Sequence, residues 1–205
     1  MKTFAILSTC ILLAGTCGAD PAPPYGIDIL SDIRNLDIDH DQWALANGTL
    51  TKKKPGAHAD KLLIMKRGVV EVPVWYSLTC EVVDLGKRKN SLPEAGVVFA
   101  FVDNRNYWRL VIDQELAQPI LRLVQVKDNK IVTDTSVPVE LGPEGNAISI
   151  SVEVHQEAYV KASINRSLAL THRISSKLAS GRVGLTLQSG LCGFSSAHLS
   201  GIAKR

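Results

Sequence analysis

Between Ile148 and His155 the chain alternates without a break, with Ile148, Ile150, Val152 and Val154 interleaved by Ser149, Ser151, Glu153 and His155. A helix would scatter those four apolar side chains around its surface. A β-strand, with its period of two, puts them all on one face and the polar four on the other. Tyr76 to Val82 repeats the pattern. Val97 to Val102, Leu110 to Ile112 and Leu121 to Val126 are apolar almost throughout, apart from Arg122, as strands covered on both sides would be. Asp103-Asn104-Arg105-Asn106, Lys127-Asp128-Asn129-Lys130 and Asn165-Arg166-Ser167 separate such runs with residues that tolerate left-handed backbone and so close hairpins. About eleven strands at short, even spacing predict an all-β, antiparallel two-sheet jelly-roll sandwich. One helical pattern stands against this: Ile27, Leu30, Ile33 and Leu36 recur every three residues, which predicts a short amphipathic turn packed on the domain.

The ends of the chain read differently. Lys2, the apolar run Phe4 to Ala14 and the small residues Cys17-Gly18-Ala19 have the layout of a secretory signal peptide over 1–19. The run is too short to span a bilayer. Leu13-Ala14-Gly15 would make a lipobox if a cysteine followed at once, but Thr16 intervenes, so lipid anchoring through Cys17 is only a minor alternative. Residues 20–26 carry Pro21, Pro23 and Pro24 and read as a linker, followed by one domain over 27–205. The protein is expected to be secreted or periplasmic.

With the leader gone, Cys80 and Cys192 are the remaining cysteines. An oxidising compartment permits a bridge, which would close a loop of over a hundred residues and stabilise by about 4–5 kcal/mol on the chain-entropy model. Two separate buried thiols are the alternative. Lys and Arg number 23 against 20 Asp and Glu, too even a balance for a nucleic-acid-binding surface.

The order of several pieces resembles the concanavalin A-like lectin/glucanase superfamily, in its laminin G-like and 3-keto-disaccharide hydrolase-type branch. These are Trp43 with Asn47-Gly48-Thr49-Leu50, Tyr76-Ser77-Leu78-Thr79, Ala95-Gly96-Val97-Val98-Phe99, Asn106-Tyr107-Trp108-Arg109-Leu110, Gly181-Arg182-Val183-Gly184-Leu185 and the closing strand through Phe194 and Leu199. The resemblance implies a concave sheet face, an exported protein of bacterial type, and a glycan or cell-surface ligand. It also allows calcium held by scattered loop oxygens.

No Glu-x-Asp-x-Glu strand of the glycosidase type is present, which argues against catalysis by that motif but not against carboxylates gathered from several strands. Asp37-Ile38-Asp39-His40-Asp41 opens like an EF-hand loop and then fails it, with Gln42 where Gly belongs and Gly48 where Glu belongs. The five histidines have no zinc-ligand spacing.

The stretch Asp103 to Asp113 combines what sugar recognition uses, aromatic faces for stacking and amides, carboxylates and guanidinium for hydroxyls. Asp103, Asn104, Asn106, Tyr107, Arg109 and Asp113 are therefore the candidate ligand-binding residues. Alternation puts Tyr107 and Arg109 on one face and Trp108 on the other, in the core. The competing reading has Asp and Asn merely building a turn and Tyr107 packed inside. Trp75 either edges a groove or packs, packing being the simpler expectation. Three functions follow: a non-catalytic carbohydrate- or surface-binding module, a hydrolase related to the 3-keto-disaccharide hydrolases, and a protein-interaction domain.

Overall fold

The structure is a computed structural model, and it describes residues 25–39, 41–53, 61–70, 72, 75–83, 94–113, 118–143, 146–155, 159–174, 178, 181–188 and 192–202. The segment expected to be a signal peptide, 1–19, and the expected linker other than Tyr25 and Gly26 lie outside these residues. Fifteen strands are described: β1 (Tyr25–Asp28), β2 (Leu36–Asp37), β3 (Trp43–Ala46), β4 (Thr49–Lys52), β5 (Lys61–Met65), β6 (Trp75–Val83), β7 (Glu94–Asp103), β8 (Asn106–Asp113), β9 (Ile120–Lys127), β10 (Lys130–Pro138), β11 (Ile148–His155), β12 (Tyr159–Ile164), β13 (Ser167–Arg173), β14 (Arg182–Gln188) and β15 (Gly193–Ile202).

They form two antiparallel sheets. One runs β13-β12-β11-β6-β15-β4-β3, with β1 also on β15, and the other runs β10-β9-β8-β7-β14-β5-β2. The chain is thus an all-β sandwich of jelly-roll type. β11 and β6 alternate buried and half-exposed residues along their length, β6 beginning from an exposed Trp75, and they pair in register, Val152 opposite Leu78. Their apolar faces meet Val97, Phe99, Leu110, Ile112, Leu121 and Leu123 of the second sheet in one core. Burial of large aliphatic and aromatic side chains at about 25 cal/mol per Å² is the main stabilising term.

Turn chemistry explains the meander. Asn47 and Gly48, Asp128 and Asn129, and Asn165 and Arg166 all have positive φ, as two-residue type I′ hairpin turns require. Gly96 of β7 and Gly184 of β14 answer a different need, close approach. A Cβ on Gly96 would stand 2.0 Å from the Leu110 carbonyl oxygen, and one on Gly184 would stand 2.2 Å from that of Leu63.

Three expectations need correction. The helical turn over Ile27 to Leu36 is instead β1, a single 3₁₀ turn at Ile33–Asn35 and β2, because β1 finds a full ladder on β15. The three-residue spacing still marked burial, since all four side chains pack on the core. The first strand takes in Tyr25 and Gly26, which the linker was expected to contain. Trp75, expected to pack, is 43% exposed.

Candidate functional site

β8 carries the stretch that the sequence singles out. Its outward residues are Tyr107, Arg109, Val111 and Asp113, and its inward residues are Trp108, Leu110 and Ile112. Trp108 sits in the core as expected, its ring 6.0 Å from Phe99 and 5.6 Å from His172. Tyr107 faces away from that core, yet it is nearly buried, packed with Ile64, Val98 and Phe101 in a second apolar cluster on the outer side of the sheet.

The six candidate residues do not form one site. Asp103 Oδ1 accepts from the Arg105 backbone N–H at 2.8 Å and from Asn106 Nδ2 at 2.9 Å, and these bonds hold its carboxyl below the ordinary carboxylate value. Asn106 Oδ1 accepts from the Asp128 backbone N–H at 3.2 Å, tying the β7–β8 turn to the β9–β10 turn. Asn104 is exposed between them. Asp103 and Asn106 therefore build hairpin ends, and at 3.3–3.4 Å per strand residue they stand roughly 20 Å from Asp113.

Arg109 and Asp113 belong to a different constellation, which crosses four strands on the outer face of the seven-stranded sheet. Glu94 opens β7 directly opposite Asp113, and Arg109, four residues back along β8, reaches Glu94 Oε1 at 2.9 Å. Arg122 of β9 is 3.5 Å from Asp113 through Nη1. It also grips Asp134 of β10, donating from Nε to Oδ1 at 2.8 Å and from Nη2 to Oδ2 at 2.6 Å. Two arginines thus link three carboxylates, and exposure rises along the chain of contacts. The Arg109 and Glu94 side chains are 9% and 11% exposed, whereas Asp134 is 42% exposed.

That gradient has electrostatic consequences. The Arg122 hydrogen bond, followed by the charges of Arg122 and Arg109, holds the Asp134 carboxyl below its ordinary value. Asp134 in turn, with smaller help from Glu94 and Asp113, raises Arg122. Charges this deep on an outward face are stable only because each has an oppositely charged neighbour. The result is a rigid array of guanidinium donors and carboxylate acceptors that grows more solvent-accessible toward β10.

Glu94, Arg122 and Asp134 were not among the candidates. One signal pointed to them: Arg122 is the single charge in the apolar run Leu121 to Val126, and a charge there needs partners. Farther along the same face, Arg182 lies with its guanidinium 5.0 Å from the Phe101 ring and donates to the Met65 carbonyl at 3.2 Å.

Among the described residues no group of three or more His, Cys, Asp or Glu side chains is placed to hold a metal ion. Asp39 instead caps its own turn through Asp41 N–H and Gln42 Nε2. Cys80 and Cys192 are both buried thiols. Burial, and then the proximity of Cys192, pushes the Cys80 thiol far up.

No protein-family model and no curated protein matches the chain. Solved structures do. The legume lectin-like domain from Entamoeba histolytica superposes with a TM-score of 0.60 at 13% identity, over 82% of this chain and 90% of that one. The Emp47p carbohydrate recognition domain gives 0.57 at 14% identity, over 87% and 88%. The carbohydrate-binding module CBM66 from Bacillus subtilis gives 0.52 at 10% identity, over 77% and 86%. At these identities the likeness is one of fold: the chain is similar in architecture to lectin-like domains and carbohydrate-binding modules.

Proposed function

We propose that the protein is an exported, non-catalytic carbohydrate-binding module of the concanavalin A-like superfamily, and that its ligand lies on the outer face of the seven-stranded sheet, over Arg122 and Asp134. One observation carries the reading. An outward array, buried at Glu94, Arg109 and Asp113 and accessible at Asp134, pairs Glu94 with Arg109 and Arg122 with Asp113 and Asp134, so that its donors and acceptors are fixed before any ligand arrives. Vicinal sugar hydroxyls each donate and accept, so a guanidinium and a carboxylate side by side fit them, and fixed geometry lowers the ordering cost of binding. The buried pair Glu94 and Arg109 positions the array, and the accessible pair touches the sugar. The fold neighbours, several of them carbohydrate-binding, support the class of ligand.

A hydrolase is the second reading, because Glu94 and Asp113 face one another across adjacent strands. Directly opposite strand residues have Cβ atoms about 4.5–5.5 Å apart, near the carboxylate separation of retaining glycosidases. Each of these carboxylates is engaged by an arginine rather than turned toward a leaving-group oxygen, which favours binding over turnover.

A glycan array, run with and without calcium, tests the proposal. Specific binding that Arg122→Ala and Asp134→Ala both abolish while the variants stay folded is the expected result, and binding indifferent to both would overturn it. Release of reducing ends from a bound glycan would move the protein to the hydrolase reading. Calcium-dependent binding would call for backbone or loop oxygens as ligands.

A further inference from the structure

The opposite side of the molecule presents a second, differently built surface. On the outer face of the eight-stranded sheet, Arg173, Tyr159, His155 and Trp75 stand in register on β13, β12, β11 and β6, a row of four planar groups on adjacent strands. Strands lie 4.7–4.9 Å apart, so the row is roughly 14 Å long. The His155 and Tyr159 rings stack at 5.5 Å, and Trp75 keeps 43% of its surface in water. Glu153, one step along β11, fixes the rings' orientation: its Oε1 accepts from Trp75 Nε1 and from the Tyr159 hydroxyl, each at 3.3 Å. Lys161 lies 3.8 Å from the same oxygen and 4.7 Å from the centre of the Tyr159 ring. Among the described residues the buried His155 Nδ1 finds no hydrogen-bond partner.

What surrounds the row decides its occupant. The described outward positions beside it are mostly hydroxyl-bearing, Ser77, Thr79, Ser151, Ser163, Thr171 and Ser200, with the exposed Leu168 opposite Ser163 on β13. A docked protein needs an apolar centre, whereas Leu168 stands on the edge strand β13 and the described middle of the face is lined by hydroxyls. A sugar ring needs an aromatic platform edged by hydrogen-bonding groups, and this face has both. The charge is one-sided as well. Among the described residues Arg173 is exposed and has no ion pair, Lys161 adds a second cation, and Glu153 is the carboxylate that touches the row.

We propose that this row is a second glycan site, specific for a chain of pyranose units carrying carboxylates, that is, a uronate-containing polysaccharide. The rings of the sugar lie along Trp75, His155 and Tyr159, and its carboxylates meet Arg173 and Lys161. The site stands independently of the array on the other sheet, and the two together would let one molecule bridge two polysaccharide chains.

The test uses the purified protein labelled with nitrogen-15 and follows the Trp75 indole N–H signal, assigned with Trp75→Phe. The probes are hexasaccharides of galacturonate and of mannuronate, with cellohexaose and mannohexaose as neutral controls. The expected result is a saturable shift of the Trp75 signal with a uronate probe, weakened by salt and about tenfold weaker in Arg173→Gln, with binding of the same probe measured by calorimetry lost in Trp75→Ala. Arg122→Ala, which breaks the array on the other sheet, leaves that shift unchanged, so the two sites fail separately. Equal shifts with neutral and uronate probes, or none with any probe, overturn the proposal. Trp75 and Arg173 are both exposed, so their variants keep the fold.

Discussion

Arg122 on β9 holds Asp134 on β10 through two parallel hydrogen bonds, Nε to Oδ1 at 2.8 Å and Nη2 to Oδ2 at 2.6 Å. The same guanidinium also faces Asp113 at 3.5 Å. It joins the accessible Asp134 to the buried Asp113, and the consequences can be measured.

The first concerns acid. The Arg122 hydrogen bond lowers the folded-state carboxyl of Asp134 below its ordinary value of 3.8, so the pair's contribution is fully present above that value and is lost as pH falls through the lowered one. Stability should not change on this account between pH 8 and pH 5. Urea unfolding of the wild type and Asp134→Asn should differ by a constant amount over that range and converge in more acidic solution. Because Asp134 is substantially exposed, the constant difference should be no more than about 1 kcal/mol.

The cysteines give a second test. With the thiol of Cys80 fully buried and pushed up by burial and by Cys192, little Cys80 thiolate exists in the folded protein, and Cys192 is likewise buried. In a chain lacking residues 1–19, a thiol-reactive dye at pH 8 should label native protein at the rate of global unfolding, and the two thiols of Cys80 and Cys192 should react at once in guanidinium without reductant. No reactive thiol in guanidinium would show a bridge between Cys80 and Cys192 instead.

A third prediction rests on close approach. Gly96→Ala would press a methyl against the Leu110 carbonyl, and Gly184→Ala would do so against that of Leu63. Neither obstacle is a flexible side chain, so each substitution should destabilise by about 2 kcal/mol or more. Gly26→Ala, which meets nothing within 4 Å, should change stability by less than about 0.5 kcal/mol in the same assay.

These sites differ in how far the sequence disclosed them. Alternation at Ile148 to His155 and the turn residues at Asp128-Asn129 and Asn165-Arg166 were legible, because period and left-handed tolerance are properties of a few adjacent residues. They sufficed for the sandwich and for the inward placement of Trp108. The short strands β1 and β2 were not legible, since each owes its conformation to a ladder on β15 or β5 rather than to its own pattern. The array was half legible for the same reason. Arg109 and Asp113 stood out beside aromatics and amides, but Glu94, Arg122 and Asp134 join them only through cross-strand register, which sequence separation conceals. Trp75 meets His155 and Glu153 across 78 positions or more of chain, so its exposed row could not be foreseen from its neighbours.

The deepest part of the array allows the sharpest separation of structure from function. Arg109 and Glu94 are close to buried and 2.9 Å apart, so removing either charge leaves the other with its main counter-charge gone. Such single truncations typically cost about 3–5 kcal/mol, whereas replacing both partners of a buried pair with apolar groups of similar volume is often close to neutral. Arg109→Met and Glu94→Leu should each destabilise by about 3 kcal/mol in urea unfolding, and the double variant by clearly less than the sum. If the pair only positions Arg122 and Asp134, the double variant should fold yet bind glycan more weakly, because the edge of the array loses the interior charges that help fix it. Wild-type affinity in a folded double variant would confine recognition to Arg122 and Asp134 themselves. Additive destabilisation, with no coupling between the two substitutions, would show that Arg109 and Glu94 do not act as a pair.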